Sequence, residues 1–118
     1  MQERRRSPRL KQKNRAYVTV LSSPDDKNLE NKTYSCSTED VSAGGIRLSL
    51  PAALPVGSNM EMRVVSKKPV KTFWHVGRVV WSGRGRDGNI DVGIEFTQTP
   101  ESTLKLWQEL IREKLARK

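Results

Sequence analysis

The 118-residue sequence predicts a mainly β fold, a six-stranded antiparallel β-barrel followed by one C-terminal α-helix. Three observations predict it. Apolar residues recur at every second position in six short runs between residues 15 and 96, which is the period of a half-buried strand. Beyond residue 99 the apolar spacing lengthens to three and four, the period of an amphipathic helix. The length suits one compact domain, and closing the sheet removes the unpaired edges that six open strands would leave.

Residues 1–14 are polar and basic, contain Pro8, and show no hydrophobic period, so they read as a flexible arm ahead of a barrel at 15–118. The run Ala16-Tyr17-Val18-Thr19-Val20-Leu21 is β-branched and aromatic and forms the first strand. Ser22 to Asn31, with Pro24, Asp26 and Asn28, is a loop. From Thr33 to Val41, Tyr34, Cys36 and Thr38 alternate against Ser35, Ser37 and Glu39, giving a half-buried second strand.

Ile46, Leu48 and Leu50 mark the third strand, and two prolines and a glycine in residues 51–59 force a bend after it. Met60, Met62 and Val64 form the fourth. In the long fifth run, Val70, Thr72, Trp74 and Val76 share one phase, and Val79 and Trp81 take another after Gly77, the pattern of a β-bulge. On that phase His75 faces solvent. Ile90, Val92, Ile94 and Phe96 give the sixth strand. Thr99 suits an N-cap and Pro100 the first helical position. Leu104, Trp107, Ile111 and Leu115 then make one apolar face of a helix over about 99–117. That face either caps the sheet or meets a partner.

Twenty-two Lys and Arg against 13 Asp and Glu leave a formal charge of +9, so the surface favours anions such as phosphates, nucleic acid or acidic membranes. Arg4, Arg5, Arg6, Arg9, Lys11, Lys13 and Arg15 fall in residues 4–15 with no acid among them. A single cysteine excludes an internal disulfide, and no apolar run is long enough to span a membrane. The expected compartment is the cytoplasm. One histidine cannot build a two-histidine metal site, and no phosphate loop, nucleophile elbow or helical carboxylate pair is present. The expected class is therefore a binding protein rather than an enzyme, with no cofactor. Cys36 shares the phase of Tyr34 and reads as a buried structural thiol.

Two stretches carry candidate chemistry. Asp40-Val41-Ser42-Ala43-Gly44-Gly45 lies where two alternating runs meet. Its carboxylate accepts N–H donors and its glycines permit close backbone approach, yet the same residue types also make an ordinary turn. Arg5-Arg6-Ser7-Pro8-Arg9 sets two guanidiniums four residues apart with a third between them. Such groups bind phosphate through paired N–H donors, stack on bases and pair with guanine O6 and N7.

Together, RxxxR at Arg5 and Arg9 followed by DxSxxG at Asp40, Ser42 and Gly45 resembles the PilZ domain family. The stretches Gly45-Ile46-Arg47-Leu48, Leu54-Pro55-Val56-Gly57, Gly77-Arg78-Val79-Val80-Trp81 and Val92-Gly93-Ile94-Glu95-Phe96 are similar to that family as well. The resemblance implies a barrel that binds cyclic di-GMP. It assigns Arg5 and Arg9 to guanine faces and phosphates, Asp40 to a guanine edge, Ser42 to a phosphate or base, and Gly45 to close approach. Arg4, ahead of the motif, fits members that take the ligand as a stacked dimer. Arg6 and Gly44, inside the motifs, and Arg47, just beyond the second, join the candidate set. Trp81 either stacks on a base or belongs to the core.

The expected mechanism is an arm that orders over its ligand and so changes the surface offered to a downstream protein. The alternatives are a non-specific nucleic-acid-binding domain driven by charge, and a protein-interaction module that needs no ligand.

Overall fold

The computed structural model describes residues 9–24, 26–67 and 70–116. It contains β1 (Leu10–Lys11), β2 (Arg15–Ser22), a 3-10 turn (Lys27–Leu29), β3 (Thr33–Val41), β4 (Gly45–Leu50), β5 (Asn59–Lys67), β6 (Val70–Arg84), β7 (Ile90–Phe96) and α1 (Glu101–Ala116). The six long strands run β3-β2-β5-β6-β7-β4, and β4 pairs back onto β3. Every pairing is antiparallel, so the sheet closes into a barrel. Its interior is filled by the inward residues of all six strands, among them Val18, Val20, Ile46, Leu48, Met60, Met62, Val64, Val79, Val92 and Ile94. These are the residues whose period-two spacing marks strands in the sequence.

The arm reaches further into the fold than its composition suggests. Leu10 pairs with Val41 and Lys11 with Asp40, so β1 runs beside β3 in line with β2. Leu10 is buried in the core. A single apolar residue among cations has no period, which is why the sequence does not announce this strand.

Two bulges differ from the expected pattern, and both serve the outer face. In β3 the register against β4 slips between Thr38 and Asp40. Thr38 therefore points inward opposite Leu48, while Asp40 points outward opposite Arg47. In β6 the slip lies between Val79 and Trp81, not at Gly77. Gly77 stays in register, because a Cβ there would come 2.6 Å from the Glu95 carbonyl oxygen and 2.7 Å from Ile94 Cγ2. Close strand approach, rather than a bulge, requires that glycine.

The phase of β6 is also corrected. Phe73, His75, Gly77 and Val79 face inward, and Trp74 is 48% exposed. Both phases of this run carry large apolar residues, so alternation alone could not choose between them. His75, expected at the surface, is fully buried in an aromatic cluster. Its ring stacks on Phe96 at 4.0 Å and meets the Trp107 ring edge-on at 4.6 Å. Burial pulls its pKa down to about 3, so the imidazole is neutral.

Helix α1 covers the barrel mouth where these rings lie, with Trp107 and Ile111 buried beneath it. Thr99 does not cap the helix. Its hydroxyl accepts the Val76 N–H at 3.0 Å and lies 3.2 Å from His75 Nδ1, tying the chain ahead of the helix to β6. No helix among the described residues is long and apolar enough to cross a membrane.

Candidate functional site

The slip in β3 sets the site. Once Asp40 faces outward, both of its carboxylate oxygens meet arginines. Arg9 donates its Nε–H to Asp40 Oδ1 at 2.6 Å, and Arg47 donates its Nε–H to Oδ2 at 3.0 Å. Arg47 also donates through Nη1 to Asp91 Oδ2 at 3.2 Å. The result is an alternating row, Arg9–Asp40–Arg47–Asp91, laid across β3, β4 and β7. Asp40 is nearly covered, whereas 41% of the Arg9 side chain and 32% of Arg47 remain exposed.

Such charge-assisted bonds fix direction as well as position. The carboxylate holds two guanidinium planes at the surface with most of their N–H donors unspent among the described residues, since a guanidinium carries five. Each Asp40 oxygen also retains accepting capacity for a further donor. The row can therefore offer a ligand both cationic donors and an anionic acceptor.

The row extends sideways to an aromatic surface. Asp40 pairs with Arg47, Arg47 with Gly93, and Gly93 with Trp81. The slip before Trp81 turns it outward, where it is 44% exposed. Its indole lies on Gly93: a Cβ at that position would collide with Trp81 Nε1 and come within 2.6 Å of its Cε2. From the Asp40 strand to the Trp81 strand is three inter-strand steps, roughly 14 Å. Trp81 is thus a surface residue and not part of the core.

The turn after β3 is built from its own backbone. The Ser42 N–H and hydroxyl both donate to the Gly45 carbonyl, at 2.9 and 3.2 Å. The Gly44 carbonyl accepts the Phe96 N–H at 3.0 Å. A Cβ on Gly45 would overlap the Ile94 carbonyl oxygen, so glycine there lets β4 and β7 pair, whereas Gly44 faces open space. From the barrel interior the buried Trp107 donates its Nε1–H to the Ser42 carbonyl at 2.8 Å. Ser42 itself is buried, with its hydroxyl committed to the turn.

Of the residues singled out from sequence, Arg9, Asp40, Arg47 and Trp81 share one outer face, with Ser42, Gly44 and Gly45 forming the adjoining turn. Arg4, Arg5 and Arg6 lie outside the described residues. Sequence reasoning missed Asp91 and Trp107. Asp91 occupies an outward position of a cleanly alternating strand, which is the signal that could have found it. Trp107 gives no such signal, because a helical apolar face looks the same whether or not its indole N–H has a partner. The Cys36 thiol donates to the Ala16 carbonyl, and burial raises its pKa to about 12, so it stays protonated.

Comparison with curated protein sequences gives no match. Solved structures give several. The Bacillus subtilis inhibitor of motility, MotI/DgrA, aligns with a TM-score of 0.77 at 11% identity over 98% of this chain and 52% of that one. The chain therefore spans about half the length of that protein. The PilZ domain of Escherichia coli YcgR, solved with c-di-GMP, aligns at 0.67 with 18% identity, covering 97% of this chain and 95% of that one. The PilZ domain of CeSA from a cellulose-synthesizing bacterium aligns at 0.62 with 19% identity over 89% and 95%. At these identities the likeness establishes the fold. The family model for the PilZ domain, however, matches residues 3–113, nearly the whole sequence, and the chain belongs to the PilZ domain family.

Proposed function

We propose that this domain is a receptor for cyclic di-GMP, acting by binding rather than catalysis in the bacterial cytoplasm and passing its signal to a partner protein. The observation that carries the reading is the outward-facing row of Arg9, Asp40 and Arg47 beside the exposed Trp81. A guanine offers N1–H and N2–H donors for a carboxylate and N7 and O6 acceptors for a guanidinium. A flat indole suits its π-face, and the two phosphates suit unspent arginine donors. The PilZ domain of YcgR, solved with c-di-GMP, shares this fold.

In this mechanism β1 anchors the arm beside Asp40. Arg5, four residues before Arg9, closes over the ligand together with Arg4 and Arg6, and the closure changes the surface a partner meets. Amide exchange of residues 4–8 should slow when cyclic di-GMP saturates the protein. Unchanged exchange would remove the closure step while leaving binding intact.

Charge alone supports a second reading, a non-specific nucleic-acid binder, since the net charge is +9. Asp40→Ala separates the two. It makes the protein more positive, so a charge-driven binder gains affinity. A guanine receptor loses an acceptor and the group that orients two arginines, and it should bind cyclic di-GMP at least about 10-fold more weakly. Calorimetry with cyclic di-GMP and cyclic di-AMP, on both proteins, reads the sign directly. Stronger binding by the Asp40→Ala protein, or equal binding of the two dinucleotides, would refute the receptor reading.

A further inference from the structure

One pleat from Asp40 the outer face of β3 opens into a cavity of about 480 Å³ that the ion-pair row does not use. Ser37 of β3 lines it, with Lys13 and Arg15 on the β2 side, Lys67 at the end of β5, and Ser49 and Asn89 toward β4 and β7. The cavity is continuous with the row. Ser37 pairs with Ser49, Ser49 with Asp91, and Asp91 is the carboxylate that holds Arg47. Along β4, Ser49 of the cavity lies two residues from Arg47 of the row, roughly 7 Å.

The two regions differ in how their charges are answered. In the row each guanidinium faces a carboxylate. Among the described residues the cavity is lined by three cations and no carboxylate. Only Lys13 has an acidic neighbour, Glu39 at 3.5 Å, and neither Arg15 nor Lys67 is in an ion pair among the described residues. Neutral donors stand beside them. Asn89 Nδ2 donates to the Ser49 hydroxyl at 3.0 Å, which leaves the Ser49 O–H as a donor. Asn14, also in the lining, is 5% exposed, but its Oδ1, without a hydrogen-bond partner among the described residues, is an acceptor and gives an anion no donor. Unanswered cations around hydroxyl and amide donors are the chemistry of an oxyanion site, in which lysine acts as a point charge and arginine as a fork.

We infer that this cavity is a phosphate subsite, taking a phosphate group of a nucleotide whose base lies at the Arg9–Asp40–Arg47 row. The inference rests on the guanine-binding reading of that row for the identity of the nucleotide, but not for the phosphate chemistry of the cavity. The phosphate has two sources, the far half of the same dinucleotide or a second molecule beside it. Ligand stoichiometry distinguishes them: one ligand per chain for the first, two for the second.

The test has two arms on the full chain. In the first, orthophosphate is titrated while amide resonances are followed. Saturable shifts are expected at Ser37, Ser49 and Asn89. They should vanish in a Lys13→Gln, Lys67→Gln protein and persist in a Lys27→Gln, Lys105→Gln protein, which loses equal charge at exposed positions outside the cavity. Shifts spread over the whole basic surface, or lost equally in both variants, would overturn the subsite.

In the second arm the cavity variant should bind cyclic di-GMP about 10-fold more weakly, with its unliganded thermal midpoint unchanged and the control unaffected. Arg9→Ala is run alongside. If cyclic di-GMP binds in an Arg9-dependent way and neither arm senses Lys13 and Lys67, the subsite is wrong and the receptor reading stands. If orthophosphate maps to the cavity but cyclic di-GMP does not bind, the subsite stands and the receptor reading falls.

Discussion

The turn at Ser42 has charge on one side and aromatic rings on the other. Outside the barrel, Arg9, Asp40, Arg47 and Asp91 alternate in sign, and both arginines are partly exposed. Inside, Phe73, His75, Phe96 and Trp107 pack with ring centroids between 4.0 and 6.4 Å. Half-exposed ion pairs contribute about 0–1 kcal/mol each, so the outer row can exchange partners at little cost to the fold. Buried rings contribute several kcal/mol through area and packing, so the inner cluster can hold a position but not easily change it. The two meet at the turn, where Trp107 donates its Nε1–H to the Ser42 carbonyl and Phe96 its backbone N–H to the Gly44 carbonyl. A rigid interior thus sets the turn, and a labile exterior is left to recognise the ligand.

The comparison predicts its largest effect at Trp107. Trp107→Ala should cost about 3–5 kcal/mol of stability, the usual range for removing a buried aromatic. Trp107→Phe keeps most of the ring but leaves the buried Ser42 carbonyl unpaired, which costs about 1–3 kcal/mol. Denaturant unfolding gives both numbers. The Phe variant sharpens the comparison, because it should also weaken ligand binding if the turn is positioned from inside. Wild-type affinity in a destabilised Trp107→Phe protein would show that the two sides are independent.

The next effect is a pH dependence that the inner cluster alone should produce. His75 titrates near 3 in the folded protein against 6.5 ordinarily, so the unfolded chain takes up the proton first. Stability should be full above pH 6.5 and fall as the pH drops from 6.5 toward 3, by up to about 1.4 kcal/mol per unit. The groups against the imidazole are Thr99, Phe73, Phe96 and Trp107, none of which titrates in this window. His75 is also the sole histidine of the chain. Unfolding of the wild type at pH 7 and pH 5 should differ by about 2 kcal/mol from this source, and His75→Phe should flatten the difference. A His75→Phe protein with the wild-type slope would mean that the imidazole is not the buried group described here.

The inner and outer faces were unequally legible in the sequence. Strand number, strand order along the chain and the terminal helix follow from spacing, because a half-buried strand must alternate and each of these strands does. The phase of β6 did not, since Phe73 and Trp74 stand side by side and either can fill a core. Asp40 was legible as a ligand-type residue, but not its outward aim, which depends on a one-residue slip against β4 that no local pattern encodes. The cavity is less legible still. Lys13, Arg15, Ser37, Ser49, Lys67 and Asn89 come from five separate segments, and only barrel closure brings β3 against β4 to assemble them. Local preference writes elements, whereas long-range pairing writes sites.

The smallest stability effect should be at Arg47, and it tests the labile half of the comparison. Arg47→Ala removes both charge-assisted bonds that link Asp40 to Asp91. If the row is the ligand's, little of the fold depends on it: loss of two pairs made by a partly exposed arginine should cost about 0–2 kcal/mol in all, and Asp40 keeps Arg9 as a partner. Affinity for cyclic di-GMP should nevertheless fall about 10-fold or more, because Asp40 would lose its fixed orientation and the ligand a guanidinium. The two numbers together decide the matter. A loss of several kcal/mol in stability with unchanged affinity would make the row a structural clamp, and the difference between the two sides of Ser42 would then be one of chemistry alone.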